Sequence, residues 1–275
     1  MEHIQALPKP ASAFKLPLVV AGLAALAFFS WLMNTPAGLL GKADAVGYAI
    51  CHRIDGRSFH LGDRQLPLCA RCTGIYLGAL LGIVTLAVTG RGRAGALPPW
   101  KIVAVLVGFI ALMGVDGVNS YLTLFPGLPH LYEPQNWLRL ITGTLNGLTL
   151  AALIYPVFNQ TLWRNWKNQP VLANFRELGG LLVLAAIVIG LVLSDNPIVL
   201  YPLALLSALG VVVLLTLLDT VILLVVIRRE NRVEHWTGVI TPLLAGFTLA
   251  ILQIGFVDAV RFSIFHTWGG LNLPG

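Results

Sequence analysis

Charge is what this sequence has least of. Only 11% of its 275 residues are Asp, Glu, Lys or Arg, against about 25% in an ordinary soluble domain. A water-facing surface needs polar cover, so a soluble single-core enzyme is excluded, as are disordered, collagen-like and coiled-coil chains. Cysteine is almost as scarce. The chain has three, an odd number and too few for a disulfide scaffold. No G-x-x-x-x-G-K-[ST], H-E-x-x-H or G-x-S-x-G string occurs, which leaves P-loop ATPase, zincin and serine-hydrolase readings without support. Convincing internal repeats and low-complexity tracts are also missing.

What is present in excess is apolar: 57% of the residues are hydrophobic and the mean hydropathy is +0.81. A bilayer core asks for about 20 apolar residues per helix. Seven runs qualify, at 16–33, 73–89, 102–125, 137–158, 181–194, 198–227 and 237–265. The sequence therefore predicts an all-α, polytopic transmembrane helical bundle of about seven spans forming a single membrane domain. Trp31, Trp100, Trp137, Trp236 and Trp268 fall at span ends, where amphipathic rings prefer the headgroup layer. The first run exceeds the 7–15 residues of a signal-peptide core and no A-x-A-like site follows it, so it reads as an uncleaved anchor.

The formal net charge of +6 does not signal nucleic acid. Its basic residues form short clusters between apolar runs and make no continuous stripe. With the N-terminus cytoplasmic, most Lys and Arg, among them Lys9, Arg91, Arg93, Arg164, Arg228 and Arg229, fall on the inner side. The positive-inside bias then predicts a multi-pass protein of the cell membrane, with the segment after the first span facing outward.

That segment, residues 34–72, is the one long connection. Its length suits a functional loop and its composition does not suit disorder. All three cysteines lie in it, at 51, 69 and 72. Cys69-Ala70-Arg71-Cys72 is a C-x-x-C running straight into the second span, a spacing that aims two sulfurs at one point. With Cys51 and His60, it supplies a Cys₃His set for a tetrahedral zinc ion. His52 is the rival fourth ligand, ranked second because adjacent ligands are sterically awkward. Iron suits thiolates as well. A metal-free alternative is thiol–disulfide exchange at the C-x-x-C, with arginines lowering the thiolate energy. The plainest alternative is three buried structural thiols.

Residues 51–78, CHRIDGRSFHLGDRQLPLCARCTGIYLG, resemble the signature of an uncharacterised prokaryotic membrane family catalogued as domain of unknown function 2085. The likeness weakens toward residue 150. It implies an integral membrane protein with these cysteines as its hallmark, and it brings no activity or substrate. The first span and the last three lie outside it.

Arg53, Arg57, Arg64 and Arg71 stand close together in the same loop. They suit an anion or lipid headgroup, since guanidinium forms bidentate pairs with phosphate and carboxylate; local pairing with Asp55 and Asp63 is the simpler use. Gly56, Gly62 and Pro67 read as turn residues.

Ionisable groups inside spans are functional hypotheses by default. Asp116 ends the third run, Arg139 begins the fourth, and the short connection makes the two helices antiparallel neighbours. Pairing of Asp116 with Arg139 is the expectation, with Asp116 a candidate catalytic base. Asn119, Asn136, Asn146, Asp258 and Arg261 are expected to pair helices, and Gly143-x-x-x-Gly147 to admit a neighbouring backbone. His130 and Glu133 belong to the cysteine side. Asp219, near Thr216 and Thr220, lies toward the opposite side as a packing hydrogen bond. Three functions follow: a membrane protein whose zinc site shapes a polar pocket, a membrane thiol oxidoreductase using a quinone, or a transporter or accessory subunit of a membrane complex. The partners implied are the bilayer, an anionic lipid or small molecule, and subunits of such a complex.

Overall fold

The computed structural model describes residues 12–270 apart from residue 126, with side chains from residue 16 onward; Lys9, used above for orientation, lies outside the described residues. Seven helices are long and apolar enough to cross a bilayer. They are α1 (Ser12–Met33), α3 (Ala70–Leu86), α4 (Trp100–Leu122), α5 (Asn136–Leu162), α6 (Phe175–Leu193), α7 (Pro197–Val226) and α8 (Ile240–Phe265). Leu18, Leu26, Val226 and Phe256 point outward, which lipid tolerates and water does not.

The bundle is layered around α5, two thirds of whose span is buried, whereas α1 is almost wholly peripheral. Glycine explains why α3 comes so close to α5. A Cβ at Gly143 or Gly147 would strike the backbone of Arg71 or Ile75, and one at Gly74 or Gly78 would strike that of Leu140 or Thr144. Two small-xxx-small stripes face each other and bring the backbones together without side chains between them. The second stripe, Gly74-x-x-x-Gly78, is as visible in the sequence as the first.

The connection between the first two spans is only partly loop. It holds α2 (Leu39–Ile50), a 3-10 turn (Asp55–Arg57) and a hairpin of β1 (Ser58–Leu61) and β2 (Arg64–Cys69). The 12 residues of α2 are too few to span a bilayer, so hydropathy does not reveal them. The strands pair antiparallel with Ser58 opposite Cys69 and His60 opposite Gln65. Gly62, at φ +62°, takes the first position of the two-residue hairpin loop, where an L side chain is disfavoured. At the other end of the bundle β3 (Ala94–Ala96) pairs in parallel with β4 (Lys167–Pro170). The fold is thus mostly helical with two small sheets, one beyond each membrane face.

Candidate metal centre

Each cysteine is set by the end of an element. Cys51 caps the C-terminus of α2 in extended conformation, its N–H bonding Gly47 O at 2.8 Å. Cys69 ends β2 and is the N-cap of α3, and Cys72 lies in the first turn of that helix. A Cβ on Gly47 would collide with the Pro67 backbone, so α2 and β2 touch directly beside the cysteines.

All three sulfurs lie within 4.8 Å of one another. Four-coordinate zinc at Zn–S about 2.3 Å needs sulfurs roughly 3.8 Å apart, within the bound these sulfurs meet. The three cysteines are free thiols, so this cluster can hold a metal ion. Trp31, Val211, Ile251 and Ile254 pack around Cys51 and Cys69, which brings α1, α7 and α8 to the wall of the site.

The Cys51 sulfur accepts backbone N–H groups from Arg53 and Cys69, each at 3.4 Å. Arg53 reaches it because its backbone is left-handed, at φ +50°. Hydrogen bonds from the Cys69 and Cys72 thiols, aided by the Cys69 N–H, hold the Cys51 thiol well below its ordinary pKa despite burial. The reciprocal bond pushes Cys69 up to about 12. Cys51 is thereby the sulfur most inclined to thiolate, and a metal ion held by the three sulfurs would favour the deprotonated form of all of them.

The histidines do not complete the set. His60 departs from the expected Cys₃His group: it lies on the half-exposed face of β1, with Nε2 2.9 Å from Asp55 Oδ1. The register is the reason, because Cys69 pairs with Ser58 and His60 lies two residues further toward the turn. His52 stays near the cysteines, yet its Nδ1 accepts the Ile54 N–H at 3.2 Å. Burial, more than the guanidiniums of Arg57, Arg71 and Arg139, lowers its pKa. Among the described residues the ligand-spaced group is Cys51, Cys69 and Cys72 alone.

The loop arginines divide into two groups. Arg53 and Arg64 share Asp44, at 2.9 and 2.5 Å; Asp44 was not singled out in the sequence. Arg71 takes Asp116, correcting the expected Asp116–Arg139 pair. Both α3 and α4 pack against α5, and from the first turn of α3 the long Arg71 side chain reaches the Asp116 carboxylate on α4. Arg139 instead donates to Ser120 Oγ at 3.3 Å and Asn136 Oδ1 at 2.8 Å. Asp116 also accepts from Tyr132 Oη at 3.0 Å and Thr142 Oγ1 at 3.4 Å. Both oxygens of Asp116 are thus held by neighbouring side chains. Arg57 donates to Thr123 Oγ1 at 3.2 Å.

The remaining polar residues mostly secure this end. Asn119 holds the loop before α5, donating to Tyr132 O at 2.8 Å and accepting from the Leu131 N–H at 2.6 Å. Asn136 donates to Gly56 O and Ser58 O, at 3.3 and 3.2 Å, tying α5 to the cysteine segment. Asn146 is buried on α5. His130 and Glu133 pair with each other at 2.8 Å. Asp258 accepts from Trp31 Nε1 at 3.1 Å, joining α8 to α1. Arg261 donates to the carbonyls of Tyr48 and Cys51, the latter at 2.9 Å, and stacks on the Tyr48 ring at 4.0 Å. Helix α8 therefore caps α2 at its cysteine end. Asp219 accepts from Gln253 at 2.9 Å and is a packing bond between α7 and α8.

Seven apolar helices with a three-thiol cluster at one end define a multi-pass membrane protein with a potential metal centre. The family described as predicted membrane protein (DUF2085) matches residues 51–153, from the first cysteine to the middle of α5. An uncharacterized protein of Methanocaldococcus jannaschii is 32% identical over 124 residues, which is 45% of this chain and 72% of that one. An uncharacterized protein of Methanothermobacter thermautotrophicus is 36% identical over 104 residues, 38% of this chain and 83% of that one. The chain belongs to this family of predicted membrane proteins. No solved structure matches it.

Proposed function

We propose that this protein is an integral membrane protein holding one zinc ion on Cys51, Cys69 and Cys72, with the fourth coordination position left to water or a substrate atom on the side of the buried polar cluster around Asp116. The three sulfurs within 4.8 Å of one another carry the reading. Three protein ligands plus one exchangeable ligand is the pattern of reactive zinc, whereas structural zinc is closed by four protein ligands. Such an ion polarises a bound oxygen or lowers the pKa of bound water, and the neighbouring arginines would hold an anionic partner against it. Thiolate donors suit iron as well, and the metal analysis below separates the two.

The cysteine end is taken to face outward and the N-terminus inward. Arg53, Arg57 and Arg139 of this end are buried, so the Lys and Arg of the opposite end, including Arg228, Arg229 and Arg232, carry the positive-inside bias. A reporter fused within the connection from α7 to α8 should read cytoplasmic, and a periplasmic or external reading reverses the assignment.

The test is metal content of the full chain purified in detergent. About one zinc per chain is expected, falling close to zero in Cys51→Ser and Cys72→Ser. A second reading, disulfide exchange coupled to a membrane quinone, is favoured by the lowered pKa of the Cys51 thiol beside two further thiols. Metal-free protein whose Cys69 and Cys72 cycle between thiol and disulfide would establish it in place of zinc. Protein that is both metal-free and redox-inert points to a transporter or accessory role, with partner subunits expected on co-purification.

A further inference from the structure

One face of α4 receives three guanidinium groups from three different elements. Asp116, Ser120 and Thr123 follow one another at helical spacing on that face. Arg71 of α3 donates to the Asp116 carboxylate, to Asp116 O at 3.1 Å and to Ser120 Oγ at 3.1 Å. Arg139 of α5 donates to the same Ser120 Oγ, and Arg57 of the 3-10 turn donates to Thr123 Oγ1. Thr123 Oγ1 in turn donates to Ser120 O at 3.0 Å, so the three cations lie along a single short run of hydrogen-bonding groups.

The charges do not balance. Asp116 is the one carboxylate in ion-pair contact with any of the three, and it contacts only Arg71 among the described residues. Arg57 and Arg139 are each only 5% exposed, and burying a cation without a counter-charge costs several kcal/mol. The buried Nε atoms of Arg57 and Arg71 have no hydrogen-bond partner, a rare condition that calls for an explanation. A divalent cation on the three neighbouring thiolates would carry only one negative charge. An anion would complete the balance. Arg71 retains 20% side-chain exposure, so the cluster is not wholly sealed from outside.

We infer that Arg57, Arg71 and Arg139 bind a phosphate group, free or carried on a lipid headgroup, beside the cysteine cluster. Free phosphate brings a charge of about −1.5 to −2 at neutral pH and at least three strong acceptor oxygens, and a phosphodiester headgroup about −1 and two; either answers uncompensated guanidiniums and their unpaired N–H groups. Guanidinium forks match such oxygens two at a time. The inference leans on the zinc reading only for the charge of the cysteine cluster; the geometry of the arginines is independent of it.

The experiment titrates inorganic phosphate into the full chain in an uncharged maltoside detergent, following the melting temperature and phosphorus NMR, with zinc content measured on the same samples. Phosphate should raise the melting temperature saturably where chloride at equal ionic strength does not. Arg57→Gln should weaken phosphate at least tenfold while zinc stays at the wild-type level. Arg139→Lys, which keeps the charge and loses the fork, should weaken it less, and serves if Arg57→Gln does not fold. Arg176→Gln at the opposite end should bind as wild type. In nanodiscs of an uncharged galactolipid, phosphate should bind; if phosphatidylglycerol nanodiscs suppress it, the headgroup is the natural occupant, and equal binding in both identifies a free anion. Phosphate acting no better than chloride, or binding undiminished in both arginine variants, overturns the inference. Zinc-free protein that still binds phosphate through Arg57 would remove the metal reading and leave this one standing, and zinc-loaded protein indifferent to phosphate would do the reverse.

Discussion

At the end of the bundle opposite the cysteines, Arg91 pairs with Glu177 at 2.6 Å, Arg164 pairs with Glu234 at 2.5 Å, and Arg93 lies 4.3 Å above the Trp163 ring. At the cysteine end, Arg57 and Arg139 have no carboxylate in contact among the described residues. Both ends contain arginines, a few acids, tryptophans and a two-stranded sheet. They differ in burial. Arg164 and Glu234 keep 69% and 48% of their side-chain surfaces in solvent, whereas Asp116 keeps 2%. Water serves Arg164 and Glu234, whereas only protein groups or a ligand can serve Asp116, Arg57 and Arg139. Surface electrostatics and a buried polar cluster thus arise from the same residue types, separated by access to water.

Substitutions should reveal that asymmetry in graded form. Cys69→Ser should have the largest effect, abolishing metal binding and lowering the melting temperature of the purified protein, because metal-binding free energy is folding free energy at such a site; unchanged metal content would refute the three-ligand set. Asp116→Asn leaves Arg71 and its neighbours without their carboxylate and should cost about 3–5 kcal/mol in detergent unfolding, the usual result of breaking a buried pair. Glu234→Gln, its counterpart at the other end, should cost under about 1 kcal/mol. Equal losses would remove the distinction drawn between the ends. Gly143→Ala pushes a methyl group into the Arg71 backbone and should destabilise by about 1–3 kcal/mol. Gly92→Ala meets only the Trp236 ring at 3.4 Å and should stay within about 0.5 kcal/mol. The smallest effect is expected for His60→Ala: zinc content and melting temperature close to wild type, since its contact is a half-exposed pair with Asp55. Loss of zinc in that variant would restore His60 as the fourth ligand.

The sequence was legible where one physical requirement dominates. Spans declare themselves because every residue of a helix in lipid must be apolar enough to remain there, and the seven runs became seven helices. The cysteines declared themselves by clustering in a polar segment of a chain otherwise without them. Helix α2 was hidden because a short helix at a membrane surface has no such requirement. His60 misled because its position midway between Cys51 and Cys69 in the chain carries no spatial meaning once β1 pairs with β2. Asp44, Ser120, Thr123 and Tyr132, which hold the arginines or Asp116, gave no signal beyond being polar residues near span ends.

Composition and periodicity alone determined that this chain lives in a membrane, how many times it crosses, and that Cys51, Cys69 and Cys72 stand apart from the rest. These follow from solvent, which acts on each residue separately. Which cation meets which carboxylate was decided by the glycine-lined contact of α3 with α5, which brought Arg71 to Asp116 in place of Arg139. That choice depends on helix rotation and close approach, quantities shared between distant segments and therefore written in no single stretch of the chain.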